Sequence, residues 1–176
     1  MDHHDHLALI RDGVGGAGGC WLELGAGDGQ FTLALADLLG GAGQITAVDR
    51  DAGALGRLEH RLHDRFRTTS VRALAADFTA GLPAGPFDGV LAANSLHFVA
   101  DPIPVVESVR DRLRPGGRLV LVEYDADRGN PWVPYPISFQ RWTAIAQLAG
   151  FDAPVLLHRV PSRFLGAIYG ACAIRA

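Results

Sequence analysis

A glycine-rich segment, Gly25-Ala-Gly27-Asp-Gly29, joins an apolar run to a helix-patterned run near the start of the chain. The apolar run, 19–24, is typical of a buried strand, and 29–39 has the apolar spacing of a helix that ends at two glycines. Glycines at alternate positions allow a ligand to approach bare backbone in the turn between a strand and a helix. Such a turn belongs to folds in which strands and helices alternate, so it constrains the fold of the whole chain.

The rest of the chain continues this alternation. The apolar patterns predict further strands at 44–48, 70–76, 87–93 and 118–124, and helices at 51–65, 101–113 and 137–149. Two final strand-like runs, 155–160 and 164–174, have no room for a helix between them and are predicted to pair as an antiparallel hairpin. We therefore predict an α/β fold: five strand–helix units and the hairpin form a doubly wound, seven-stranded, mostly parallel sheet. Residues 1–176 are expected to form one domain, with 1–18 as a segment whose helix covers the ligand site.

Composition and charge exclude several classes of protein. The net charge of −3 is unsuited to a protein that mainly binds nucleic acid, so no nucleic-acid partner is expected. No apolar stretch is long enough to span a membrane, and the N-terminus does not resemble a signal peptide, which favours a cytoplasmic protein. Cys20 and Cys172 lie in separate apolar runs, and the N-terminal histidines have no further ligand partner in the sequence, so no metal site is predicted.

Two acidic residues stand where predicted strands end. Asp49 ends the second strand and Asp77 follows the third, and a carboxylate at either place can accept hydrogen bonds from a nucleoside. A dinucleotide-binding loop carries a third glycine where this chain has Gln30. The residues alone therefore leave two possibilities, a nicotinamide dinucleotide or a different nucleoside-containing ligand.

At the level of whole motifs, the chain resembles the class I S-adenosylmethionine-dependent methyltransferases. Glu23 to Gly29 is similar to the family's first motif, and Asp49 and Asp77-Phe78 match its acidic positions after strands two and three. FDGVLAANSLHFV and LRPGGRLVLVEY match the motifs of strands four and five, so the resemblance covers nearly the full length. It implies that S-adenosylmethionine contacts Glu23, Gly25, Ala26, Gly27, Gly29, Asp49, Arg50, Asp77, Phe78 and Asn94.

The resemblance also implies a role for several of these residues. Asp49 is expected to accept from the ribose hydroxyls, and Asp77 from the adenine amino group, while the Phe78 backbone donates to the ring. The carbonyl of Asn94 or of a neighbouring residue is the expected partner of the ligand ammonium. Glu23 either orients the loop amides, reaches that ammonium through water, or has a purely structural role.

The acceptor side is less constrained by the sequence. His97 follows strand four and is the predicted catalytic base, although a histidine there could instead cap the following turn. Tyr124, at the end of strand five, is predicted to contact the substrate. Trp132 and Tyr135 alternate with prolines in the next loop, which either binds substrate or plugs the end of the sheet.

These features predict a methyltransferase that acts on a small molecule at oxygen or nitrogen and releases S-adenosylhomocysteine. The pocket should be open unless the N-terminal segment, the 125–137 loop or a second subunit in a homodimer closes it. Two alternatives remain from the sequence: a catalytically silent binding module with a methyltransferase-like fold, and an NAD-dependent oxidoreductase.

Overall fold

A single seven-stranded sheet forms the centre of the protein in a computed structural model that describes residues 1–65, 69–162 and 164–176. The strands are β1 Gly19–Leu24, β2 Gly43–Asp49, β3 Ser70–Ala75, β4 Phe87–Ala93, β5 Leu113–Tyr124, β6 Val155–Pro161 and β7 Ala167–Ile174. Their order across the sheet is β3-β2-β1-β4-β5-β7-β6, and β7 is antiparallel to both of its neighbours. The other neighbouring pairs are parallel, so the predicted fold, including the C-terminal hairpin, is confirmed.

In the described ranges, five α-helices cover the two faces of this sheet. They are α1 His3–Val14, α2 Gln30–Leu39, α3 Ala52–Arg65, α4 Ile103–Arg112 and α5 Phe139–Leu148. Side chains alternate between the faces along each strand: Leu22 packs in the cluster with α4 and α5, whereas Trp21 packs in the cluster with α1 and α2. Leu58 of α3 packs against α2 and β2 on the second of these faces.

The crossover from β3 to β4 differs from the predicted pattern of five strand–helix units. Residues 76–86 contain no α-helix, so this unit of the prediction is wrong. Pro83 and Pro86 lack the amide hydrogen that a helix interior requires, and Gly81 and Gly85 lower helix propensity further. The chain therefore returns to the sheet by an extended path.

Residues 113–117 precede the fifth strand predicted at 118–124, but in the structure they belong to β5 and contain an irregularity. Phe87 of β4 pairs with Leu113, but the next ladder partner, Gly89, pairs with Arg118, so the intervening residues bulge out of the sheet. Gly116 accommodates this with φ of 75°. The strand therefore starts earlier than the apolar pattern indicated.

The N-terminal helix lies somewhere other than where the sequence analysis expected it. α1 packs on α2 and on strands β5, β6 and β7, and the residues that line the main cavity, described below, come from other elements. Helix α1 therefore does not line the main cavity, which the sequence analysis expected the N-terminal segment to cover. Its apolar residues Leu9 and Ile10 are fully buried, which accounts for its position on the sheet.

The N-terminal histidines have separate surroundings. His3 lies 2.5 Å from the Asp37 carboxylate, and His6 is buried with its ring edge-on to Phe31. His4 lies near Asp2 and Asp5 on the surface, where the two carboxylates accept backbone amides as a capping box for α1. The helix start therefore explains this acidic group.

Within the described ranges, no helix is long and apolar enough to cross a membrane.

Candidate functional site

A cavity of about 430 Å³ opens beyond the carboxyl ends of the parallel strands. It lies where the strand order reverses, between the β3-β2-β1 half and the β4-β5 half of the sheet, which is where open α/β sheets bind ligands. Its lining residues are Gly25, Gly27, Asp49, Arg50, Ala76, Asp77, Phe78, Thr79, Asn94, Ser95, Phe98 and Val99. Most of the cofactor residues predicted from the sequence are therefore gathered in one place.

The glycine loop brings bare backbone to this cavity. A Cβ on Gly25 would lie 2.5 Å from Cβ of Ser95, so only glycine permits the close approach of β1 to the end of β4. Gly27 has φ of 54°, and a Cβ there would meet no atom within 4 Å. Its backbone is thus exposed on the open side of the loop, where a ligand can approach it.

Three predicted cofactor residues do not line the cavity. The Ala26 amide donates to the Val48 carbonyl at 3.0 Å, and Gly29 faces Leu58, whose side chain would be 2.2 Å from an added Cβ. Glu23 is only 1% exposed and points into the protein interior beneath the loop. These residues support the loop on its interior side, because their backbone or side chain contacts the core.

Glu23 has an unusual electrostatic environment. Its Oε2 atom is buried without a hydrogen-bond partner among the described residues. Burial, together with the nearby charge of Asp49, raises the pKa of Glu23 to about 8. The carboxyl group is therefore mostly protonated at neutral pH.

Two carboxylates stand on the rim of the cavity. Asp49 accepts the Gly27 amide and the Asp51 amide, each at 2.8 Å, and so fixes the glycine loop to the end of β2. Asp77 accepts both the amide and the hydroxyl of Thr79, and these bonds lower the pKa of its carboxyl group. An ionised carboxylate can accept about four hydrogen bonds, so each retains capacity for ligand hydroxyl or amino groups.

Unpaired polar atoms lie at the opposite side of the cavity. Asn94 has φ of 51°, which is uncommon outside glycine, and its Oδ1 is buried without a partner among the described residues. Ser95 Oγ is also buried, and no residue in the described part of the chain forms a hydrogen bond with it. Buried polar atoms are normally hydrogen-bonded, so this pair fits the donors of a bound ligand.

His97 forms a buried pair with Glu123, which the sequence analysis did not single out. His97 Nδ1 lies 2.8 Å from Glu123 Oε2, and the two side chains are 4% and 0% exposed. The same carboxylate accepts the His97 amide at 3.1 Å and the Tyr124 amide at 3.3 Å. In the tautomer that donates from Nδ1 to Glu123, the Nε2 atom of His97 is the ring nitrogen that has no hydrogen.

A series of aromatic ring contacts begins at His97 of this pair. The ring of Tyr124 lies 5.8 Å from that of His97, and Phe164 links it to Trp132 through centroid distances of 6.1 and 6.0 Å. The amide of Tyr135 donates to the His97 carbonyl at 3.0 Å. Tyr124 and Tyr135 therefore contact His97, whereas Trp132 is connected to it only through Phe164 and Tyr124. His97 itself is not among the residues that line the first cavity.

Comparison with known proteins identifies the family. A model of the methyltransferase domain matches residues 22–119, which include the glycine loop and strands β2 to β4. The chain belongs to the class I S-adenosylmethionine-dependent methyltransferases. It is therefore an enzyme of the methyltransferase class, and the resemblance described from the sequence is confirmed.

Individual relatives agree with this assignment. An uncharacterised methyltransferase of Mycobacterium tuberculosis is 30% identical over 87% of this chain and 79% of its own length. A reducing polyketide synthase of a Penicillium species is 29% identical over 74% of this chain, which spans only 6% of the synthase. Among solved structures, a methyltransferase of Aquifex aeolicus covers all of both chains with a TM-score of 0.74 and 18% identity. The CurJ carbon methyltransferase has a TM-score of 0.72 and 23% identity, over 92% of this chain and 50% of its own.

The residues of the cavity fit the cofactor of this family. S-adenosylmethionine carries an ammonium group, ribose hydroxyls and an adenine amino group, all of which donate hydrogen bonds. Unpaired acceptors at Asn94 and Ser95 and free capacity on Asp49 and Asp77 lie around one cavity with bare backbone at Gly27. These groups are all acceptors, as the donor groups of the cofactor require.

Two of the residues that the sequence reasoning missed left a signal in the sequence. Glu123 is a charged residue within the apolar run of β5, and such a residue requires a buried partner. Ser95 directly follows Asn94 in the strand-four motif. By contrast, Phe164 reaches the site through the hairpin turn, and no local pattern places it there.

Proposed function

We propose that this chain transfers a methyl group from S-adenosylmethionine to a small acceptor whose reacting atom must first lose a proton. The observation that carries the proposal is the buried His97–Glu123 pair. Methyl transfer itself needs alignment of donor and acceptor and exclusion of water, whereas a base is needed only when the acceptor atom bears a proton. A buried imidazole supported by a carboxylate is suited to that task.

Different residues of the cavity would bind different parts of the cofactor. Asp49 and Asp77 would hold the ribose and adenine ends, and Asn94 and Ser95 the ammonium end. When bound, S-adenosylmethionine supplies an electrophilic methyl group on a positively charged sulfur. His97 lies next to the ammonium end, because its neighbours Ser95 and Phe98 line the cavity.

His97 would take the proton of the acceptor on Nε2 while Glu123 stabilises the imidazolium that forms. The electron pair left on the acceptor then bonds to the methyl carbon, and S-adenosylhomocysteine leaves. An acceptor of suitable acidity is a carbon between two carbonyl groups. A ubiquinone/menaquinone biosynthesis C-methyltransferase of a Marinomonas species, which is 29% identical over 78% of this chain and 56% of its own length, supports carbon as the acceptor atom.

Oxygen is the second candidate acceptor atom. A ubiquinone biosynthesis O-methyltransferase of Xanthomonas axonopodis is 33% identical over 60% of this chain and 43% of its own length. A phenol has a pKa of about 10, so it also requires a base at neutral pH. Oxygen or nitrogen was the acceptor atom predicted from the sequence, whereas here carbon is the first candidate and oxygen the second.

The test offers the purified protein S-adenosylmethionine together with one acceptor of each kind. These are the N-acetylcysteamine thioester of acetoacetate, catechol, and a primary amine as the nitrogen acceptor. Mass spectrometry detects methylation, and nuclear magnetic resonance locates the new methyl group. We expect methylation of the thioester at carbon.

Variants then test the base. His97→Gln and Glu123→Gln should lower the turnover number by about 10²- to 10⁴-fold while the affinity for S-adenosylmethionine stays near that of the wild type. His158→Gln, which changes an exposed histidine on β6, is the matched control and should have no effect. Turnover of His97→Gln at the wild-type rate would remove His97 from the mechanism. Cofactor binding without transfer to any acceptor would favour the silent binding module.

A further inference from the structure

A second cavity, of about 490 Å³, has in its lining Tyr124, whose ring lies 5.8 Å from that of His97. It is lined by Met1, Tyr124, Pro161, Ser162, Phe164 and Ile168. Its volume is within the range of small-molecule sites, which are about 300–1,000 Å³. Tyr124 belongs both to this lining and to the ring contacts of His97, so the two sites adjoin.

Exposed apolar side chains concentrate near His97 and along this cavity. In the described part of the chain, the large hydrophobic side chains that remain exposed include Met1, Phe98, Trp132, Tyr135 and Phe164. Phe98 contacts the His97 ring, and the Tyr135 amide donates to the His97 carbonyl. Phe164 and Trp132 are connected to His97 through the ring of Tyr124. Met1 lines the second cavity. Contiguous exposed apolar groups mark a binding surface more often than isolated ones do.

Phe164 has a central position on this surface. Its ring is 51% exposed and lies between the rings of Tyr124 and Trp132. The position of its backbone is set by the hairpin turn, because the Phe164 amide donates to Ser162 Oγ at 3.1 Å and the Ser162 amide donates to the Gly166 carbonyl at 2.9 Å. An exposed aromatic ring on a hydrogen-bonded turn provides an apolar wall at low entropic cost.

We propose that the second cavity binds the non-reacting apolar chain of the acceptor, and that Phe164 determines which chain length is accepted. The occupant is an alkyl or acyl chain attached to the reacting group, since five of the six lining residues, all except Ser162, have aromatic or aliphatic side chains, and the lining residue Tyr124 contacts His97. This proposal rests on the proposed function in one respect only, which is that the reacting group of the acceptor binds at His97. The role of the cavity itself can be tested without methyl transfer.

Binding is measured by the fluorescence of Trp132. Of the 3 tryptophans, Trp21 and Trp142 are buried, whereas Trp132 is 68% exposed and contacts Phe164. An apolar chain in the cavity should shift the emission of Trp132 to shorter wavelength. The probes are two series with matched chains of increasing length, β-ketoacyl N-acetylcysteamine thioesters and 4-alkylphenols.

We expect affinity to rise about fourfold with each added methylene in both series until the cavity is filled. In Phe164→Ala this increase per methylene should fall to about twofold or less, while the shortest probes bind as in the wild type. The matched control is Leu148→Ala, which removes a side chain that is 71% exposed on α5, and it should leave the series unchanged. Affinity that does not depend on chain length in either series would overturn the proposal, as would an equal effect of the two variants.

Other results separate this proposal from the proposed function. If chain length and Phe164 govern binding but no acceptor is methylated, the cavity assignment stands and the role of His97 as a base falls. If sedimentation shows a dimer that Phe164→Ala dissociates and Leu148→Ala does not, a second copy of the chain covers this surface, and the proposal is overturned.

Discussion

Asp49 illustrates how one side chain serves both the fold and the ligand. It was predicted as a partner of ribose hydroxyls, yet in the structure it also fixes the Gly27 and Asp51 amides. The glycine loop is therefore positioned by the same carboxylate that would bind the cofactor. Loss of its charge should affect the cofactor in two ways, through the lost contact and through the loosened loop.

We expect Asp49→Asn to weaken the affinity for S-adenosylmethionine by about ten- to hundredfold, since hydrogen bonds to a charged group contribute about 1.5–3 kcal/mol. Calorimetric titration measures this change. Asp51→Asn is the control, because Asp51 caps α3 with its side chain and asparagine is an equally good cap. Equal affinity of Asp49→Asn and the wild type would show that the site is assigned wrongly.

Glu23 gives a prediction about stability rather than binding. Its pKa rises from the ordinary value of 4.5 to about 8 on folding, so the folded state keeps a proton that the unfolded state releases. The free energy of unfolding should therefore fall as the pH rises from 4.5 to 8, by about 1.4 kcal/mol per pH unit from this residue. Below 4.5 the carboxyl is protonated in both states and contributes no pH dependence.

Glu23→Gln should remove this component, because a neutral amide replaces the titrating group at similar volume. Urea unfolding at pH 5, 6, 7 and 8 should give a shallower decline in stability for the variant, with a total difference of roughly 4 kcal/mol across the series. Parallel declines for the two proteins would mean that Glu23 is ionised in the folded state at neutral pH.

At the scale of elements, the loop after β5 is held by its own side chains. Asn130 Oδ1 accepts the Trp132 and Val133 amides, both at 2.9 Å, and the Tyr135 amide reaches the His97 carbonyl. The turn chemistry of Asn130 thus positions Trp132 beside the site.

We expect Asn130→Ala to raise the KM for the acceptor about threefold to tenfold and to leave the affinity for S-adenosylmethionine unchanged, because the loop is separate from the first cavity. Asn130→Asp keeps the accepting oxygen and should restore the wild-type KM. Steady-state kinetics with the acetoacetyl thioester provides the test. An unchanged KM in Asn130→Ala would leave the loop without a part in acceptor binding.

The same elements show what the sequence could and could not predict. β4 and the glycine loop were located correctly because periodicity and glycine spacing are local properties. The bulge in β5 and the placement of α1 depend on packing between distant segments, which no local pattern contains. For the same reason His97 could be proposed from its position after β4, but its pairing with Glu123 emerged only when β4 and β5 lay side by side.

At the scale of the whole molecule, the sheet order determines where function can reside. The reversal between β1 and β4 brings Gly27, Asp49, Asp77 and Asn94 to one edge, although they are far apart in the chain. The turn between the antiparallel strands β6 and β7 adds Phe164 to the lining of the second cavity. The sequence indicated this topology from the order of its strand and helix signals, whereas the identity of the acceptor depends on cavity shape and was not accessible from motifs.

The central claim is that the cavity at this edge binds S-adenosylmethionine, and calorimetric titration of the wild-type protein tests it most directly. The ligands are S-adenosylmethionine, S-adenosylhomocysteine and, as a control for a dinucleotide site, NADH. We predict one molecule bound per chain with micromolar dissociation constants for the two sulfur compounds and no heat of binding for NADH. Binding of NADH, or no binding of either sulfur compound, would contradict the account.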